Sequence, residues 1–164
     1  MDNAMNLHLS HSRYSRLIGE IGTLEEMEGG VLKMTLTNGV EKVDSSAVAR
    51  VEIDVLAIPK GSKNLKDYAF KLGITVEGIY EGELPIDSAF ASEDFRLSLS
   101  QPLYTMGVIE LRDLAQKLGF SNIHLPWDIT VLSQKSKQKK PAVREAKPPK
   151  KALKLAAKKT AERN

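Results

Sequence analysis

Between residues 16 and 58 the apolar side chains fall mostly at every second position. Arg16 to Leu24 opens the run, and Val31 to Thr37 sets Leu32, Met34 and Leu36 on one side. Val40 to Val43 follows. Val48 to Val55 then alternates Val51, Ile53 and Val55 with Arg50, Glu52 and Asp54. A period of two is that of a half-buried strand. Glu28-Gly29-Gly30, Asn38-Gly39 and Pro59-Lys60-Gly61 punctuate the run. Asn38-Gly39 is the strongest hairpin signal, because a type I′ turn needs positive φ at both central residues. The pattern predicts a meander of four or five short strands, preceded by a polar, loose segment at 1–15.

The period changes after Gly61. Leu65, Tyr68, Ala69 and Leu72 share a helical stripe, with Asn64 as its cap and Gly73 as its stop. Phe95, Leu97 and Leu99 alternate with polar neighbours and predict a strand. Ile109, Leu111, Leu114, Ala115 and Leu118 predict a helix over 107–118, capped by Thr105 and ended by Gly119. Ile129 to Leu132 reads as a last strand. The segment from Leu65 to Thr75 aligns with Leu111 to Ser121 at an offset of 46 residues. Either a helix–Gly–strand unit is duplicated or two short amphipathic helices look alike. Trp127, the single indole, follows Pro126 and reads as buried, the alternative being an exposed partner anchor. The expected fold class is α+β. It comprises a small antiparallel barrel or sheet at 16–58, a helix–strand–helix portion at 62–132 and a disordered basic tail at 135–164.

Charge sharpens this division. The last thirty residues hold twelve of the 24 Lys and Arg but two of the 21 Asp and Glu, a net of +10, and the first 134 residues are net −7. The cations are Lys135, Lys137, Lys139, Lys140, Arg144, Lys147, Lys150, Lys151, Lys154, Lys158, Lys159 and Arg163. Prolines at 141, 148 and 149 oppose helix. Such a segment buries no core and engages a polyanion by counterion release. Lysine predominates and no aromatic is interleaved, so binding is expected to be blind to sequence. A solubilising tail and a short basic helix over 150–162 are the alternatives. The arm is similar in composition to the Lys/Ala/Pro arms of linker histones and bacterial histone-like proteins, which implies polyanion binding and nothing finer.

The glycine spacing in Gly19-Glu20-Ile21-Gly22-Thr23-Leu24, with Val31 to Thr37, Asn38-Gly39 and Val48 to Ile53, resembles SH3-like small barrels of the KOW type. That resemblance implies a rim binding RNA, DNA or peptides. The loop acids Glu25, Glu26, Glu28, Glu41 and Asp44 would repel phosphate, which favours a protein-facing rim. The Gly19-x-x-Gly22 spacing lacks the cation a KH clamp needs. Residues 64–80 admit a helix–turn–helix, although Glu77, Glu81 and Glu83 are poor readers of base edges.

Chemistry finds little purchase. The chain has no cysteine and three histidines, His8, His11 and His124. No phosphate loop, nucleophile elbow or paired-histidine motif occurs. His124, beside Leu125-Pro126-Trp127, reads as packed or capping. No catalytic residue, metal or cofactor is expected, and no apolar run approaches a membrane span. The reading is a non-enzymatic nucleic-acid-associated accessory protein, cytoplasmic or virion- or nucleoid-associated, whose arm meets DNA or RNA. Its acidic body would meet a protein partner or itself. The alternative is an assembly component of a larger particle.

Overall fold

Four strands form one antiparallel sheet in the computed structural model, which describes residues 6–22, 29–62, 67–121 and 123–130. The strands are β1 (Leu7–Ile21), β2 (Gly30–Val43), β3 (Ser46–Pro59) and β4 (Phe70–Gly82). Their spatial order is β1-β4-β3-β2, a Greek-key arrangement that leaves β1 and β2 as free edges. A 3₁₀ turn (Asp87–Ala91) leads into one long helix, α1 (Glu93–Lys117). The α+β class stands, but the sheet is open and not closed into a barrel.

The alternation seen in β3 sets the core. Ala47, Ala49, Val51, Ile53, Val55 and Ala57 are all buried. The register places Leu36 opposite Ile53 and Met34 opposite Val55, so the even positions of β2 extend the same face. Asn38 and Gly39 do not turn the chain. They continue β2 through to Val43, and the two-residue turn falls at Asp44 and Ser45, with Asp44 at φ 52°. The reason lies on the buried face, where the Asn38 amide donates to Ser100 Oγ of α1 at 3.3 Å. A turn at 38–39 would also have cut Val40 from the Leu32–Met34–Leu36 row.

Three further elements differ from expectation. Leu7 to Ser15 is not loose but is the first part of β1. The helix over 65–72, first of the two similar helices, and the helix–turn–helix at 64–80 give way to β4, and with them the duplicated unit. Residues 63–66 lie outside the described residues. The stripe through Tyr68 and Leu72 competes with a longer period-two row of Phe70, Leu72, Ile74, Val76 and Tyr80, all buried. A strand paired on both sides by β1 and β3 satisfies its backbone completely.

The strand expected at 95–99 is the start of α1. Phe95, Leu99, Leu103, Val108, Leu111 and Ala115 are buried and recur every three to five residues. Phe95 and Leu99 fit either period, whereas Leu97 is only partly buried. Thr105 is therefore inside the helix, and Ser92 precedes it as the N-cap residue, with Glu93 and Asp94 in the first turn. The expected stop is present: Gly119 has φ 91°, and Phe120 N–H donates to the Ala115 carbonyl. Ile109, expected on the apolar face, is exposed.

Helix and sheet approach closely at Gly107. A β-carbon there would lie 2.9 Å from Ile53 Cδ1. Past the helix, residues 123–129 lie along α1. Tyr104 Oη donates to the Pro126 carbonyl at 2.6 Å, Arg112 Nη2 donates to the Leu125 carbonyl at 2.8 Å, and Leu125 and Ile129 are buried. Trp127 is half exposed, with the Arg112 guanidinium 3.9 Å from its ring centroid, and His124 is exposed. Neither is the packed side chain expected. Of the last expected strand, residues 131 and 132 lie outside the described residues, and at its start Asp128 accepts from the Thr130 N–H.

Candidate functional site

The strand register divides the β1 side chains between two surfaces, and the bulges decide the division. Pairing with β4 shifts between Leu9 and His11 and again between Tyr14 and Arg16. Each bulge adds one residue to β1. Tyr14 and Leu17, three apart in sequence, thus both fall on the helix side, opposite Val76 and Ile74. Ile21 joins them opposite Phe70.

An α-helix about 10 Å wide covers roughly two strands spaced about 4.8 Å apart. Here α1 lies over β3 and β4, and residues 123–129 flank it on the side of Gln101 and Tyr104. The β1 row is left uncovered. Tyr14, Leu17 and Ile21 are 47%, 49% and 40% exposed. Leu114 and Leu118 close the inner wall, coming within about 3.2 Å of where a Gly19 β-carbon would stand. Glu110 lies at the rim beside Tyr14, and burial followed by that carboxylate holds the phenol above its usual pKa. The result is an apolar strip along a free edge strand, with Glu110 at its rim.

The opposite face of the sheet is charged. Arg16 donates to Glu52 at 2.8 Å and to Asp54 at 2.9 Å, reaching across β4 to do so. Its path runs over Gly73, where a β-carbon would stand 3.0 Å from Arg16 Nη2. Its hydrogen bond to Asp54 raises its pKa further. Arg13 donates to Glu77 at 2.8 Å, which holds the Glu77 carboxyl below the usual range, and Arg50 approaches the same carboxylate at 3.8 Å. A depression of about 530 Å³ opens beside this group, lined by Thr37, Gly39, Val48, Arg50 and Glu77 among others. Each arginine faces carboxylates, so the face is balanced and is no anion site.

All twelve basic residues singled out from the sequence, Lys135 to Arg163, lie outside the described residues. His8 and His11 lie on β1, exposed, with Ser10 Oγ 3.4 Å from His11 Nδ1. Among the described residues no three His, Asp or Glu groups converge as metal ligands, and no helix is long and apolar enough to cross a membrane. Nothing in the local pattern of residues marks the Tyr14–Leu17–Ile21 row, because the bulge hides its period.

No family profile and no curated protein matches the chain. Solved structures do. The Mycobacterium tuberculosis Rv1957 SecB-like chaperone, solved in complex with a ChAD peptide from the Rv1956 HigA1 antitoxin, is similar at a TM-score of 0.56 and 12% identity. The match covers 73% of this chain and 88% of that one. A Streptococcus agalactiae protein of unknown function is similar at a TM-score of 0.45 and 12% identity, over 75% of this chain and 98% of that one. At these identities the first likeness concerns the fold.

Proposed function

We propose that the folded body is a polypeptide-holding module that takes extended, non-native segments, in the manner of a chaperone. One observation carries the reading: the uncovered row of Tyr14, Leu17 and Ile21 beside α1 on a free edge. An exposed apolar strip rimmed by polar groups marks an interaction surface. An extended segment sets its side chains about 6.6 Å apart on one face, so two or three can meet such a row. Glu110 at the rim beside Tyr14 favours segments that carry Lys or Arg next to the apolar residue meeting Tyr14. The SecB-like fold of a protein solved with a peptide agrees with this reading.

The test is a binding titration with a labelled, permanently unfolded polypeptide. Covering three half-exposed side chains contributes on the order of 1 kcal/mol each. The double variant Leu17→Glu, Ile21→Glu should therefore weaken binding at least tenfold while leaving thermal unfolding near that of the parent. Equal affinity in parent and variant would remove the strip from the function.

We also propose that the 135–164 arm binds nucleic-acid phosphate without sequence preference. Its support is compositional: ten lysines and two arginines in thirty residues. Body and arm would then hold a polypeptide near a polyanion.

A further inference from the structure

The two free edges of the sheet are not alike. β1 is interrupted twice by bulges, the ordinary device that keeps an edge from pairing. β2 is not interrupted: every residue from Gly30 to Val43 has a successive partner on β3. Its outer edge thus presents a regular run of backbone donors and acceptors, and no proline interrupts it.

The side chains of β2 are self-complementary about Thr37. On the charged face of the sheet they run Val31, Lys33, Thr35, Thr37, Gly39, Glu41, Val43, alternate residues of one strand. A second β2 laid antiparallel with Thr37 opposite Thr37 sets Lys33 against Glu41, Thr35 against Gly39 and Val31 against Val43. By symmetry each pair occurs twice. Val31 and Val43, at 62% and 44% exposure, are both exposed large apolar side chains. On the helix face the same register sets Met34 against Val40, and Leu32 against the aliphatic stem of Lys42. Lysine on an edge strand ordinarily guards against pairing. Against this partner the guard meets a carboxylate.

We infer that β2 is the contact edge for a second copy of this chain, paired antiparallel about Thr37 into a continuous eight-stranded sheet. The two-fold axis stands perpendicular to the sheet, so both α1 helices lie on one side. Opposite-charge and apolar cross-strand pairs are the ordinary stabilisers of such a contact. The order becomes β1-β4-β3-β2-β2-β3-β4-β1. Both Tyr14–Leu17–Ile21 rows then sit at the outer edges, about 35 Å apart at the usual strand spacing. The inference stands independently of the polypeptide-holding reading.

Sedimentation of the full chain and two sets of variants test it. The parent should sediment as a dimer. Lys33→Glu places two carboxylates opposite each other twice and should raise the dimer dissociation constant roughly tenfold to a hundredfold. Adding Glu41→Lys should restore it, a rescue that a folding defect would not show. The chain lacks cysteine, so Thr37→Cys supplies a single thiol that should oxidise to a covalent dimer. Thr35→Cys, displaced from its own copy by four residues, should not. A parent that stays monomeric, a Lys33→Glu variant that sediments like the parent, no rescue by the swap, or equal cross-linking at 35 and 37 would each overturn the inference. Any of these would leave open the binding of an extended client at the same edge.

Discussion

Arg16 reaches Asp54 only because Gly73, on the strand between them, has no side chain. The guanidinium lies 2.9 Å from Asp54 Oδ1, and a β-carbon on Gly73 would fall 2.7 Å from that same oxygen. The pair is about one-third exposed, so its contribution is of order 0.5–1 kcal/mol. Replacing glycine in a strand with alanine ordinarily stabilises by a similar amount. Gly73→Ala should therefore leave the unfolding midpoint unchanged or lower in the parent, yet raise it in an Arg16→Ala background. Additive effects in a denaturant double-mutant cycle would show that the two residues do not compete for space.

Beneath Arg16 lies Thr75, fully buried, whose hydroxyl has no hydrogen-bond partner. A buried orphan hydroxyl costs about 1–3 kcal/mol relative to an apolar isostere. Thr75→Val keeps the β-branch and removes the orphan. It is expected to stabilise by about 1 kcal/mol in urea unfolding, and a loss of stability would mean the hydroxyl is satisfied.

Gly107 gives the sheet and α1 their close approach. Gly107→Val places its β-carbon within 2.9 Å of Ile53 Cδ1 and should destabilise by about 2–3 kcal/mol, as overpacking does. Ile53→Val removes that methyl, so the double variant should recover part of the loss. No recovery would locate the strain elsewhere.

Two tyrosines make the fold sensitive to alkali. Tyr80 Oη donates to the Leu99 carbonyl and Tyr104 Oη to the Pro126 carbonyl, both at 2.6 Å, and burial pushes both phenols up to about 12. A phenol whose folded pKa exceeds its unfolded value near 10 contributes its full stability below pH 10. That contribution is lost as pH rises from 10 to 12. Chemical denaturation should therefore show a plateau up to about pH 10 and a fall above it. Tyr80→Phe, less stable at neutral pH by about 1 kcal/mol or more, should fall less steeply. A parallel fall in both proteins would exclude Tyr80 as a source.

The basic arm makes its own prediction. If about half of its twelve cations meet duplex phosphate, the log–log slope of affinity against salt is roughly −5. A chain ending at residue 134 should lose this binding. Retention by the shortened chain would place the nucleic-acid site on the body.

Period-two patterning in β2 and β3 was legible from the residues alone, because a strand with one face buried must alternate. The buried row Val51–Ile53–Val55 and the less covered row Leu32–Met34–Leu36 on the same face fall where that alternation put them. The Gly119 stop was equally legible, being a local backbone requirement. Phe95 and Leu99 were ambiguous because positions four apart satisfy both periods. Asn38-Gly39 misled because a local turn preference yields to a partner such as Ser100 supplied from 62 residues away. The Tyr14–Leu17–Ile21 row was illegible for a different reason: a bulge changes the parity of a strand, and a bulge forms only when a particular neighbour pairs with it.

By itself the sequence determined the class of fold, the alternating core rows and the separation of a cationic end from an acidic body. Those follow from periodicity and charge, which reside in neighbouring residues. Only the tertiary structure decided which strands are edges, that Arg16 passes over Gly73 to Glu52 and Asp54, and that one apolar row stays uncovered beside α1. Those depend on which strand lies beside which, and hydrogen-bonded pairing between segments fifty or more residues apart leaves no local trace in the chain.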